Sequence, residues 1–245
     1  MRNNPLRQKL EDLERIKLVD KAKSVLYEDC GKEALDYLKT IKGLTDKIIK
    51  TFSIGYVPPY EQNINGDPHE FAGRIIIPIY NQYRELIALS SRDWRENAYQ
   101  KFFHETFEKK FYLFGLNYAK NDIVKRNKTI LVEGEADVMV SHQFGLNCTV
   151  GLMGSAPQIH HISLLSRYCR EIYTVLDGDT SGRETTKKIL KMEKEYRFQS
   201  IYDVIIIPVY LPEKKDPDDF LRENGVKSYI NLLKEAKIFK MENKK

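Results

Sequence analysis

The second half of the sequence alternates short apolar runs with longer amphipathic stretches. The predicted strands are 129–133, 147–151, 171–177 and 202–209, and the predicted helices are 135–144, 157–168, 181–195, 217–223 and 226–236. Strands that alternate with helices in this way are typical of a parallel sheet. Because the strand runs are apolar along their whole length, we predict that helices cover the sheet.

The first half of the sequence mixes helical and strand patterns. The predicted elements are a helix over 5–29, a helix beginning at Gly31, a helix from Thr45 or Asp46 that stops before Gly55, a hairpin with strands 74–80 and 86–91, and a polar linker over 120–128. Helix caps and two-residue alternation are the signals behind these predictions. The predicted fold class is therefore α/β, with a smaller mixed α+β subdomain over 1–120 and a parallel-sheet domain over 121–245.

Acidic residues follow the ends of three predicted strands. They are Glu133, Asp137, Asp177, Asp179, Asp216, Asp218 and Asp219. Because the carboxyl ends of parallel strands form the ligand-binding edge of an open sheet, we expect these carboxylates to converge. Convergent carboxylates raise one another's pKa unless a cation lies among them, and Mg²⁺ prefers such ligands. The pattern indicates a metal-dependent phosphoryl-transfer site; the alternative is that acids such as Asp179 are helix caps.

The spacing of these acids resembles the Toprim domain of bacterial-type DNA primases. The motifs are EGxxD at Glu133–Asp137, DxDxxG at Asp177–Gly182 and DPDD at Asp216–Asp219, in this order. The first half carries further segments similar to a primase catalytic core, namely YLKTIKGL, FSIGYVPP, GRIIIPI and QKFFHETFEKKFYLFGL. The Toprim motifs alone are shared with type IA and type II topoisomerases and with some nucleases.

The resemblance implies roles for individual side chains. The implied catalytic residues are Glu133, Asp137, Asp177 and Asp179, the implied metal ligands are Glu133, Asp177, Asp179, Asp216 and Asp218, and the implied nucleotide- or template-binding residues are Arg74, Arg92, Lys101 and Lys109. Phe102 stands where the family has the tyrosine of its PKY segment, and Glu135 replaces the tyrosine of EGYxD. The implied cofactors are Mg²⁺ or Mn²⁺, with two or more ions.

Composition restricts the classes of partner. The 245 residues carry a net charge of +5, and the three motifs hold eight of the 35 acids, so the remaining surface is distinctly basic. A basic surface around an acidic site suits a polyanion. We expect no zinc site, because Cys30, Cys148 and Cys169 form no CxxC pair. The sequence has no membrane-length apolar run and no signal-peptide pattern, so we expect a cytoplasmic protein without membrane contact.

The predicted function is that of a primase catalytic subunit, which makes short RNA primers on single-stranded DNA from ribonucleoside triphosphates. A Toprim nuclease and a non-catalytic nucleic-acid-binding module are the alternatives, and a topoisomerase is disfavoured because the chain lacks room for its other domains. We expect a compact phage or mobile-element version of the DnaG-like primase, or an excised core. A replicative helicase, a separate zinc-binding template-recognition protein, or both are the expected partners.

Overall fold

The computed structural model describes residues 5–63, 65–199 and 203–242. The chain divides into two compact units, Met1–Tyr80 with Arg84–Phe107 and Asn81–Tyr83 with Glu108–Lys245. The fold class is α/β, as predicted: the first unit contains an antiparallel four-stranded sheet, and the second contains a parallel four-stranded sheet flanked by helices. Within the described ranges, no helix is both long and apolar enough to cross a bilayer.

The first unit consists of three helices and a four-stranded sheet. Its helices are α1 (Pro5–Val25), α2 (Lys32–Asp36) and α3 (Asp46–Thr51), with a 3₁₀ turn at Asp29–Gly31 and a π-helical turn at Tyr37–Ile41. Its strands are β1 (Gly55–Val57), β2 (Arg74–Tyr80), β3 (Leu86–Arg92) and β4 (Phe102–His104), in the sheet order β1-β2-β3-β4. The predicted hairpin is confirmed as β2 and β3.

Helix α1 packs on one face of this sheet through an apolar cluster. The cluster consists of Val19, Ala22, Val57, Phe71, Ile76 and Leu89. Side chains alternate between the two faces of a strand, and Ile76 lies opposite Ser91 in the β2–β3 register. Arg74, two residues before Ile76, therefore lies on the α1 face together with Ser91. Arg92 lies on the opposite face.

The second unit is built around the parallel sheet. Its helices are α4 (Leu116–Arg126), α5 (Glu135–Gln143), α6 (Ile159–Ser166), α7 (Thr180–Gln199) and α8 (Pro217–Glu242), after a 3₁₀ turn at Lys109–Phe111. Its strands are β5 (Lys128–Val132), β6 (Thr149–Gly151), β7 (Glu171–Leu176) and β8 (Ile205–Tyr210), in the order β6-β5-β7-β8. The strands are largely buried, which agrees with their apolar runs.

The prediction of a polar linker over 120–128 is wrong, because helix α4 covers most of it. Leu116, Ala119 and Ile123 recur at helical spacing and are buried. The charged residues between them lie on the outside and hide this periodicity in a short window. The linker is therefore an amphipathic helix that leads directly into β5.

Other elements differ from the predictions in their boundaries. Helix α1 ends at Val25 rather than at residue 29, and strands β1 and β4 were not predicted. The predicted strand start at residue 202 lies outside the described residues, and β8 begins at Ile205. The two predicted C-terminal helices are confirmed as the two parts of α8, because the backbone leaves the helical conformation at Gly225, where φ is 75°.

Candidate active site

Three acidic segments meet at the carboxyl edge of the parallel sheet. Glu133 follows β5, Asp177 follows β7, and Asp216 lies between β8 and α8. Since β5, β7 and β8 are adjacent and parallel, their ends lie on the same edge. The backbone N–H of Asp177 donates to Glu133 Oε1 at 3.4 Å, which joins the first two segments directly.

Two glycines allow the segments to approach this closely. The backbone N–H of Gly178 donates to the carbonyl oxygen of Lys215 at 2.8 Å, and a Cβ on Gly178 would lie 2.0 Å from the carbonyl oxygen of Pro212. A Cβ on Gly182 would lie 2.1 Å from the carbonyl oxygen of Asp177. No side chain fits at either position without a backbone shift. Gly182, the glycine of DxDxxG, therefore lets α7 begin against the backbone of Asp177.

Several of the acids also cap helices, as the alternative interpretation proposed. Asp179 Oδ1 accepts from the N–H of Gly182 at 2.8 Å, at the start of α7. Asp216 Oδ1 accepts from the N–H of Asp219 at 2.6 Å, at the start of α8. Asp137 Oδ2 accepts from the N–H of Gly134 at 3.1 Å. A carboxylate has two oxygens with several acceptor positions, so capping and a role at the site are compatible.

Burial and neighbouring charge raise the pKa values of these acids. Burial raises the pKa of Asp137 to about 8, and the charges of Asp216, Asp177 and Asp218 raise it further. Burial, and then the charges of Glu133, Asp216 and Asp179, raise the pKa of Asp177 to about 6. Burial also raises the pKa of Glu133. Glu133, Asp137, Asp177, Asp179, Asp216 and Asp218 thus form one electrostatically coupled set, which we call the acidic cluster.

The donor set of the acidic cluster fits a magnesium-like ion better than a closed metal cage. Among the described residues, no three His, Cys, Asp or Glu side chains are arranged to hold an ion by themselves. Arg222 forms an ion pair with Asp218, so that carboxylate is already partly neutralised. Mg²⁺ is usually held by one or two carboxylates together with waters and substrate phosphates. The mutual repulsion in the cluster is the condition that such a cation relieves.

Lys109 is connected to the acidic cluster through the turn after β6. Its Nζ donates to the carbonyl oxygen of Met153 at 3.0 Å. The next residue, Gly154, donates its N–H to the carbonyl oxygen of Glu133 at 3.1 Å. Met153 and Gly154 both have positive φ, at 57° and 64°. The turn that the sequence spells as GLMG therefore links this lysine to the segment of the first acid.

The other three predicted basic residues lie in the first unit, in different environments. Arg74 is half-buried, with Nε donating to Ser91 Oγ at 2.8 Å and one terminal nitrogen donating to the carbonyl oxygens of Gln100 and Lys101. The side chain of Lys101 is exposed in the segment before β4. Arg92 lies at the end of β3 on the other face of the sheet from Arg74. The first-unit basic residues thus divide into a tethered arginine and two other cationic side chains.

The sequence analysis did not identify two residues that hold these arginines. Asp93 is buried, lies 3.9 Å from Arg74 and accepts from Arg95 Nε at 2.8 Å. The Tyr37 hydroxyl accepts from Arg92 Nε at 2.6 Å. Asp93 follows a predicted strand, which is a signal of the kind used for the acidic cluster. Tyr37 lies 55 positions away from Arg92, so local pattern carries no signal for this contact.

Comparisons with known proteins agree with this geometry. Residues 130–221 match a family described as Toprim-like. A DNA primase of Lactococcus lactis is 29% identical over 243 residues, which cover 87% of this chain and 37% of the relative. The structure of the DnaG catalytic core matches with a TM-score of 0.81 and 25% identity, over 91% of this chain and 79% of that one. The Aquifex aeolicus primase, with its zinc-binding and RNA polymerase domains, matches with a TM-score of 0.77 and 26% identity, over 91% and 60%.

The fold and the acidic cluster define the second unit as a Toprim domain, a class of domain that binds divalent metal ions. The two units together extend the match beyond that domain. The chain is a catalytic core of the DnaG type of DNA primase. It spans less than half of the length of the Lactococcus relative.

Proposed function

We propose that this chain is a DNA primase catalytic subunit, which synthesises short RNA primers on single-stranded DNA by metal-dependent nucleotidyl transfer. The observation that carries the proposal is the acidic cluster at the edge of the parallel sheet, in a chain whose two units match the DnaG core. The cluster is common to Toprim domains, whereas the first unit distinguishes a primase core from a topoisomerase. Its cytoplasmic location follows from the proposed role in replication.

The proposed reaction joins the 3′-hydroxyl of one nucleotide to the α-phosphate of an incoming ribonucleoside triphosphate and releases pyrophosphate. Asp177, Asp179, Asp216 and Asp218, with Glu133, are proposed to hold the metal ions. When bound, two or more Mg²⁺ or Mn²⁺ ions would neutralise phosphate charge and activate the attacking hydroxyl. Glu133 is proposed to organise the metal or to take up the proton, since burial already favours its protonated form. Asp137 is proposed to support Glu133 from the first turn of α5.

The basic residues are proposed to bind the phosphates of nucleotide and template. Arg92 and Lys101 would make charge-assisted contacts in the first unit, and Lys109 would do so in the second. The contacts of Arg74 with Ser91 and with two carbonyl groups favour a role in holding the segment before β4. We propose that the predicted parts 1–120 and 121–245 divide the work into substrate binding and metal chemistry.

The partners and origin are also part of the proposal. The Aquifex relative combines an RNA polymerase domain with a zinc-binding domain. The three cysteines of this chain are free, and two of them are buried, which does not suit a zinc ligand set. We therefore propose that zinc-dependent template reading and helicase contact are supplied by other domains or proteins. Origin in a phage or another mobile element is proposed, and the neighbouring genes would test it.

The proposal is tested by incubating the protein with single-stranded DNA, labelled ribonucleotides and Mg²⁺ or Mn²⁺ at low ionic strength. The expected result is short RNA that requires both template and metal and that disappears with Asp177→Asn. Degraded template without new RNA would overturn the proposal in favour of a Toprim nuclease. DNA binding with neither product would overturn it in favour of a non-catalytic module.

A further inference from the structure

The guanidinium of Arg92 lies between two aromatic rings. Its Cζ is 4.5 Å from the ring centroid of Phe102 and 5.6 Å from that of Tyr37. Phe102 is the cross-strand partner of Arg92 in the β3–β4 register, so the sheet itself brings these side chains together. Tyr37 comes from the π-helical turn Tyr37–Ile41, a type of turn that is frequent at functional sites. Two separate segments therefore hold one arginine.

These contacts use one edge and both faces of the guanidinium. Nε of Arg92 donates to the Tyr37 hydroxyl at 2.6 Å. No other residue of the described part of the chain is hydrogen-bonded or ion-paired to Arg92, so its two terminal nitrogens are available for a ligand. Two parallel N–H donors in one plane match two oxygens of a phosphate group. Stacking on aromatic rings adds attraction and keeps the plane from rotating.

We propose that Tyr37 and Phe102 are positioning residues that hold Arg92 as a planar, two-donor fork for a phosphate group of the template or of the incoming nucleotide. This inference rests on the proposed function and names residues that act through Arg92. The hydroxyl at the fork is supplied by Tyr37, whereas position 102, where the resembling primases have tyrosine, contributes only a ring face.

The surroundings of the fork suit an extended nucleic-acid strand. Phe102 is 53% exposed, so a large part of its surface remains open to solvent or to a ligand. Lys101 precedes it and is exposed. The backbone of Lys101 is fixed, because its carbonyl oxygen accepts from the N–H of Asp93 at 2.9 Å and from Arg74 at 3.2 Å. A second cation is thus held next to the fork, as repeated phosphates require.

The test compares variants that remove one contact each. Tyr37→Phe removes only the hydroxyl, Phe102→Leu removes only the ring, and Tyr83→Phe is a matched control at an exposed tyrosine of the other unit. We expect Tyr37→Phe and Phe102→Leu to weaken the binding of labelled oligo(dT), or to raise the nucleotide KM, by about threefold to tenfold. A change in DNA affinity identifies the template phosphate as the ligand, and a change in KM identifies the triphosphate.

A double-mutant cycle separates positioning from general structure. In an Arg92→Ala background, Tyr37→Phe and Phe102→Leu should cause no further loss, because the group that they position is gone. If the DNA is the ligand, Arg92→Ala should also reduce the slope of log affinity against log salt by about 0.7. Wild-type behaviour of both aromatic variants, or losses that add to that of Arg92→Ala, would overturn the inference. Primer synthesis by the wild-type protein would stand in either case, so failure of the inference and failure of the proposed function are distinguishable.

Discussion

The buried carboxyl group of Asp137 is expected to destabilise the metal-free protein at neutral pH. Its pKa is raised from 3.8 to about 8 in the folded protein, chiefly by burial. Between these two pH values the folded state binds one more proton at this position than the unfolded state does. The free energy of unfolding therefore falls as the pH rises from about 4 to 8. Asp137→Asn removes this dependence, because an amide stays neutral.

The size of the effect follows from the same shift. Each pKa unit corresponds to about 1.4 kcal/mol, so the full penalty near pH 7.5 has an upper limit of about 5 kcal/mol. Relaxation of the site reduces it, and we expect Asp137→Asn to raise the free energy of unfolding by about 2–4 kcal/mol in chelator. The substitution keeps a side-chain oxygen that can accept the 3.1 Å hydrogen bond from Gly134. The backbone contact at the start of α5 is therefore retained.

The assay is calorimetric unfolding in chelator at about pH 5 and about pH 8, with separate transitions for the two units. The control is Asp122→Asn, at a partly exposed carboxylate that lies 3.6 Å from Arg126 on the surface of α4. A surface ion pair of this kind contributes little, so the control should change stability by less than about 1 kcal/mol at either pH. Destabilisation by Asp137→Asn near pH 8, or a wild-type stability that does not fall between the two pH values, would refute the reasoning.

Three further predictions concern packing, phosphate contacts and partners. Gly178→Ala should destabilise the second unit by about 3 kcal/mol or more in urea denaturation, whereas Gly145→Ala, where a Cβ meets open space, should cost only about 1 kcal/mol; equal losses would contradict the packing argument. Lys101→Ala and Lys109→Ala should each raise the nucleotide KM about tenfold without changing metal binding, and wild-type KM values in both would remove the triphosphate assignment. DNA affinity of the isolated chain should fall steeply with salt, and priming at physiological salt should rise strongly when a zinc-binding or helicase partner is added; tight, salt-insensitive binding would contradict this.

The parallel sheet and its acids could be predicted because both depend on local sequence. A buried parallel strand is an apolar run, as at Lys128–Val132 and Glu171–Leu176, and its carboxyl end is the place where a ligand-binding acid appears. The capping of α7 by Asp179 was also readable as an alternative, since aspartate is a common N-cap. What the pattern could not decide was whether one carboxylate serves both purposes.

The contacts of the basic residues could not be predicted because they depend on register and on long-range packing. The sequence analysis grouped Arg74 with Arg92, yet the β2–β3 register places them on opposite faces of the sheet. A strand as short as β4 has too few residues to show alternation, so the pairing of Arg92 with Phe102 was hidden. The contact of Tyr37 with Arg92 joins a helical turn to a strand end and required the folded chain.

The central claim is tested most directly by extension of a preformed RNA primer, because this step bypasses template recognition and initiation. The protein is mixed with a short RNA annealed to a DNA template, one complementary labelled ribonucleotide and Mg²⁺, and products are resolved at single-nucleotide length. The account predicts addition of the complementary nucleotide, dependence on metal, and loss of addition with Glu133→Gln while the primed template remains bound. Failure to extend the primer, together with metal-dependent cleavage of either strand, would contradict it.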